Sequence, residues 1–196
     1  MVDLDAFMRR WSLARRTHVF GQALSIKENT ISSEEYAAIQ ASMPIHCVDV
    51  FAADPRGHML LGVRVNKPAK GFLWPTGGRK LRNEIIAQAA ARHVKKDTGL
   101  VVETSRFAYL DHAQLLFDDR QQEPQNSGAD TPVTMTGLLL SAKEAETASA
   151  TGELGGLRLM TAQEISQERS AQYVLDGFDL LQEYRLQALA LGRDRP

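Results

Sequence analysis

The residues best suited to chemistry cluster between Gly77 and Asp97, in the run GGRKLRNEIIAQAAARHVKKD. Adjacent glycines let a backbone approach a ligand closely, and a helix N-terminus behind them presents unpaired N–H groups to an anion. Gly77 and Gly78 read as such a turn, leading directly into a helix. Arg79, Lys80 and Arg82 stand at the helix end where the macrodipole disfavours positive charge. Arg79 therefore reads as a ligand contact, and Lys80 and Arg82 as solvated cations. His93 and Asp97 lie four apart on one helix face, a spacing open to a soft metal, although two residues make no cluster and a local hydrogen bond or ion pair is the simpler expectation. Lys96 between them opposes a multi-metal centre. Outside this run, His112 has a side chain suited to proton transfer near pH 7. Asp49 interrupts an apolar strand, either on its wet face or aimed into a ligand cleft. Phe72, Trp74 and Tyr109 are expected in core or cleft packing, with stacking on a ligand as the alternative.

These residues need elements to hold them. Residues 3 to 24 have helical spacing, with Phe7 and Trp11 on an apolar face that requires cover from its own domain or from a partner. Ser32 or Ser33 caps a short second helix. Ile45 to Ala52 and His58 to Val65 form a hairpin around Asp54-Pro55-Arg56-Gly57. A Pro- and Gly-containing loop follows, then a helix from about Asn83 to Asp97 with Gly99 as its stop. Strand pieces are expected at Leu100 to Val102 and Arg106 to Leu110, the latter extended by LLFDD, and a strong strand at VTMTGLLLS. A short strand, a helix capped at Thr161 and a long amphipathic helix from Ala171 to Leu191 complete the chain. The alternation predicts an α/β (α+β) fold, a mixed β-sheet sandwiched between helices.

The 196 residues suffice for one sizeable core, and a formal net charge of -1 supplies no global field for nucleic acid or anionic membrane. Cys47, the single cysteine, excludes an internal disulfide framework. No run approaches the roughly 20 apolar residues of a membrane span. The expectation is a cytoplasmic protein without nucleic-acid or membrane partners.

Gly78, Glu84, Arg92, Val94, Asp97, Gly99 and Leu100 fall in the register of the Nudix box, G-x5-E-x7-R-E-U-x-E-E-x-G-U with U aliphatic. The chain thus resembles the Nudix hydrolases, with His93 and Lys96 in place of two box glutamates and Asp97 in place of a third. From about Ile31 to Ser166 it looks closest to the GDP-mannose mannosyl hydrolase group. That resemblance implies a Nudix domain over 31–196, including the C-terminal helix, behind an N-terminal helical extension over 1–30. It implies a homodimer and a small-molecule diphosphate substrate. Asp49, Arg64, Gly77, Gly78 and Arg79 become substrate contacts, with Arg64 and Arg79 stabilising the diphosphate leaving group. Asp97 and the Gly77 carbonyl become ligands of Mg2+ or Mn2+, and Glu84 and Arg92 a structural ion pair. The group's catalytic histidine aligns near Pro132, where this chain has none, leaving His112 as the candidate base. The implied activity is hydrolysis of a nucleoside diphosphate sugar; hydrolysis of another nucleotide or isoprenoid diphosphate, or binding without turnover, are the alternatives.

Overall fold

The computed structural model describes residues 3–18, 25–26 and 31–192. Numbered in chain order, the strands are β1 Cys47–Ala53, β2 Met59–Arg64, β3 Leu73–Trp74, β4 Thr76–Arg79, β5 Ala108–Phe117, β6 Ala129–Leu139 and β7 Leu154–Met160. The helices are α1 Leu4–Trp11, α2 Ser33–Ser42, α3 Ile86–Thr98, α4 Ala142–Thr147, α5 Ala162–Gln167 and α6 Gln172–Ala190. The strands make one mixed sheet in the order β3-β2-β1-β6-β5, with β4 paired to β1 and β7 to β2. β1 runs parallel to β6, from Cys47↔Val133 to Ala53↔Leu139, and antiparallel to β2 and β4.

Helices cover both faces, as expected. On one side Val48, Val50 and Ala52 of β1 pack with Ala90 and Val94 of α3. On the other, Phe51 and Ala53 join Phe7, Trp11, Val174 and Leu181 from α1 and α6. α6 lies so close to β1 that a Cβ at Gly177 would fall 2.0 Å from the Phe51 ring. A central strand buried on both sides has no wet face, and Asp49 is accordingly only 4% exposed. Of its two expected placements, the wet face is excluded.

Local signals did their work where expected. Ser32 caps α2 and Thr161 caps α5, each in a capping box, and Gly99 ends α3 in the left-handed conformation at φ 74°. Three expectations need correction. The helix over residues 3 to 24 stops at Trp11, because Ser12 bridges to Ala108 at the sheet edge and the chain crosses from the Trp11 core to the Leu13 core. Residues 19–24 lie outside the described part. Leu100 to Val102 forms no strand. The glycine pair is not a turn into α3: it lies within β4, and Asn83, at φ 68°, and a braced loop separate it from Ile86.

Phe7 and Trp11 find cover on their own chain. Their rings lie 5.8 and 5.5 Å from that of Tyr184 on α6, and the Trp11 indole N–H donates to Gln187 Oε1 at 2.8 Å. The apolar arm that motivated a homodimer is thus used internally.

Candidate active site

A cavity of about 550 Å³ opens beside α2, between the ends of β1, β2 and β4 and the last turns of α3, with β5 and β6 as a further wall. Arg64 and Arg79, each the last residue of its strand, both line it. Arg64 donates from Nε to the Pro68 carbonyl at 2.6 Å and lies 5.5 Å from the Trp74 ring centroid. Arg79 sits over Tyr36 of α2 at 5.0 Å. The Arg79 carbonyl is held from behind, accepting from Arg92 Nη2 at 2.9 Å and contacting His93 Nε2 at 3.1 Å. Arg92 also forks onto Glu84 at 2.7 and 2.8 Å, and Glu84 accepts the Leu81 N–H, so the expected brace fixes the loop behind Arg79.

Asp49 stands at the cavity wall with Trp74. Its Oδ2 accepts the Tyr173 hydroxyl at 3.0 Å. Burial pushes its carboxyl up to about 6, against the pull of Tyr173, Arg64 and Trp74. Gly77 faces it directly across the β1–β4 ladder. A Cβ at Gly77 would fall 2.2 Å from Asp49 Oδ1 and 2.7 Å from the Val48 carbonyl, so this glycine makes room for the carboxylate. Gly78 serves His93 in the same way: at φ +144° its α-carbon faces the imidazole, and a Cβ would come 3.0 Å from Cε1. Because a carbonyl only accepts, His93 Nε2 carries the proton, leaving Nδ1 as a buried lone pair without a hydrogen bond. Burial, then Arg92, holds this histidine down at about 4, so it is neutral at physiological pH. The Cys47 thiol, pushed up to about 12 by burial and then Asp49, is no nucleophile.

Not every expected residue reaches the cavity. His112 is exposed on β5, pointing opposite to Leu115 and Phe117, which line the site; strand alternation places it on the wrong face. Phe72 and Tyr109 are stacked elsewhere, under Arg169 at 4.1 Å and Arg16 at 4.2 Å. Trp74 alone of the three aromatic candidates lines the site, joined by Tyr36 and Phe117. Sequence reasoning passed over Tyr36, Tyr173 and Glu153. The two tyrosines looked like ordinary helix-face residues, and Glu153 lies in a connector with no readable signal.

The sequence matches the NUDIX domain over residues 43–178. The chain belongs to the NUDIX domain family. Low-salt glycan biosynthesis protein Agl8 of Haloferax volcanii is 34% identical over 83 residues, which are 42% of this chain and 53% of that protein, so the match spans about half the relative's length. Among solved structures, the NUDIX domain of Shewanella oneidensis NrtR complexed with ADP ribose is similar at TM-score 0.57 and 16% identity, covering 80% of this chain and 99% of that one. A bifunctional NMN adenylyltransferase/ADP ribose pyrophosphatase from Francisella tularensis, complexed with AMP and a manganese ion, is similar at TM-score 0.57 and 16% identity, over 76% of this chain and 44% of that one. Family membership supports the hydrolase class expected from the sequence, and the mixed-sheet fold agrees with these neighbours.

Against that background the Nudix-box residues of this chain do not form a metal centre. Asp97 is 2% exposed and absent from the cavity lining. Its Oδ2 is taken by the Thr76 hydroxyl at 2.6 Å and the Gly77 N–H at 3.3 Å, while Oδ1 packs against Gly152, 3.9 Å from Lys96 Nζ. His93 presents one nitrogen and is bound through the other. Among the described residues no group of three or more His, Cys, Asp or Glu could hold an ion. Asp97, expected as a metal ligand, instead accepts the Gly77 N–H and the Thr76 hydroxyl, bonds that do not involve the Gly77 carbonyl expected beside it. No helix among the described residues is long and apolar enough to cross a membrane.

Proposed function

We propose that this Nudix protein hydrolyses nucleoside diphosphate sugars. The observation that carries the reading is the convergence of Arg64 and Arg79 on one cavity, with Trp74 and Tyr36 beside them and Asp49 in the same wall. Two guanidiniums match the oxygens of a diphosphate, and the aromatic rings offer stacking faces to a base or a sugar. ADP ribose, carried by the Shewanella oneidensis domain, is of this substrate class. In this reading water attacks the sugar carbon or a phosphorus, the bond to oxygen breaks, and the phosphate leaves with the electron pair under the charge of Arg64 and Arg79. Asp49, with a carboxyl near 6, takes the proton of the attacking water. His112 has no part in it. The Mg2+ or Mn2+ expected from the resemblance has no fitting set of protein donors, and no step is assigned to it.

Binding without turnover is the second reading, favoured by the engagement of Asp97 in the β4 framework and by His93 in a box-glutamate position. A screen of nucleoside diphosphate sugars, nucleotides and prenyl diphosphates, each in Mg2+ and in EDTA, with phosphorus NMR and sugar detection, separates the readings. Free sugar with intact nucleoside diphosphate identifies attack at carbon, and nucleoside monophosphate with sugar phosphate identifies attack at phosphorus. Saturable binding with no product selects the binding domain, and turnover of prenyl diphosphates alone overturns the nucleotide-sugar reading.

A further inference from the structure

We infer that Lys96 is a built-in cation that takes the place of a divalent metal at the diphosphate, so that ligand recognition in this cavity is metal-independent. The inference rests on the diphosphate reading above and concerns how that ligand's charge is met. Lys96 is in a Nudix-box position where the resemblance places a glutamate. Its ammonium lies at the cavity wall, donating to Glu153 Oε1 at 2.9 Å and standing 3.9 Å from Asp97 Oδ1. These two carboxylates lie at this end of α3, and the ammonium already sits beside both. With the ammonium in this position, a divalent cation placed on them would face a positive charge at contact range. Asp97 is further withdrawn by its bonds to Thr76 and Gly77.

The surrounding charges fit the same arrangement. Arg64, paired with Leu154 across the β2–β7 ladder, also acts on the neighbouring Glu153, so this carboxylate answers two cations at once. With a diphosphate present, Nζ has three rotatable donors on a flexible stem and a side chain 40% exposed, free to turn from Glu153 to a phosphate oxygen. Arg64, Arg79 and Lys96 then meet the diphosphate from three elements, β2, β4 and α3, without an ion between them.

The test is calorimetric titration of the full chain with inorganic pyrophosphate, in EDTA and in Mg2+, with free pyrophosphate corrected for its magnesium complex. Wild type is expected to bind in EDTA, with an affinity that Mg2+ changes by less than about threefold, whereas Lys96→Gln loses about tenfold in EDTA, the scale of a charge-assisted hydrogen bond, and Lys96→Arg restores most of it. Lys96→Gln also becomes responsive to Mg2+, because Asp97 and Glu153 lose their neutralising partner. In a second measurement, Mn2+ titration followed by electron paramagnetic resonance, Lys96→Glu gains an ion site that wild type lacks. Wild-type binding that demands Mg2+, or a Lys96→Gln variant that binds as wild type does in EDTA, overturns the inference while leaving the diphosphate reading intact. Failure of wild type to bind pyrophosphate under either condition overturns both.

Discussion

Replacing Asp49 by asparagine removes a buried carboxylate that is ionised at neutral pH, and its effect on stability has a sign opposite to that of most acidic residues. The folded protein holds the Asp49 proton more tightly than the unfolded chain does, so its contribution is fully present below the unfolded value of 3.8 and is lost as pH rises through about 6. The interval between 3.8 and about 6, at about 1.4 kcal/mol per pH unit, comes to about 3 kcal/mol. Asparagine stays neutral throughout and still offers an oxygen to the Tyr173 hydroxyl. The stability of wild type minus that of Asp49→Asn should therefore fall by about 2.4 kcal/mol between pH 4 and pH 7.5, with nearly half of that change complete near pH 5. Urea denaturation of both proteins across this range measures it, and other titrating groups, including the depressed His93, cancel in the difference. A difference that is flat within about 0.5 kcal/mol, or that rises with pH, refutes the placement of an ionisable Asp49 between covered faces of β1.

Two further substitutions probe the framework. Gly77→Ala forces a methyl group to within 2.2 Å of Asp49 Oδ1, so β4 must move from β1; a loss of about 1–3 kcal/mol in urea melts and weaker pyrophosphate binding are expected, and an unchanged variant would contradict the packing. Arg92→Ala strands the 3%-exposed Glu84 and removes one of the two donors to the Arg79 carbonyl, which should cost about 3 kcal/mol, and a change below about 1 kcal/mol would show that the brace is dispensable.

What the sequence made legible was local. Ser32, Thr161 and Gly99 mark helix ends because each satisfies backbone groups within a few residues of itself, and the 54–57 turn orders its own hairpin. Gly77 and Gly78, half of β4, carry almost no strand propensity; their pairing with β1 arises from tertiary contact, so they read as a turn. Glycine does serve close approach here, but to Asp49 and His93 rather than to a phosphate at a helix end. Asp49 was ambiguous because strand alternation cannot say whether one face or both are covered. Asp97 matched the box spacing, yet spacing does not fix rotamer, and Thr76, 21 residues earlier in the chain, claims its oxygen. Arg64, recognised through the resemblance, and Arg79, read first from the charge at its helix end, do share one cavity. His112 does not, since a register of one residue along β5 decides which wall a side chain meets.

The most direct test follows a nucleoside diphosphate sugar by phosphorus NMR with wild type and with Arg64→Ala and Arg79→Ala. The account predicts hydrolysis by wild type and a fall of about a hundredfold or more in kcat/KM for each variant, since each removes one cationic clamp on the leaving group. Turnover that survives both substitutions would contradict it.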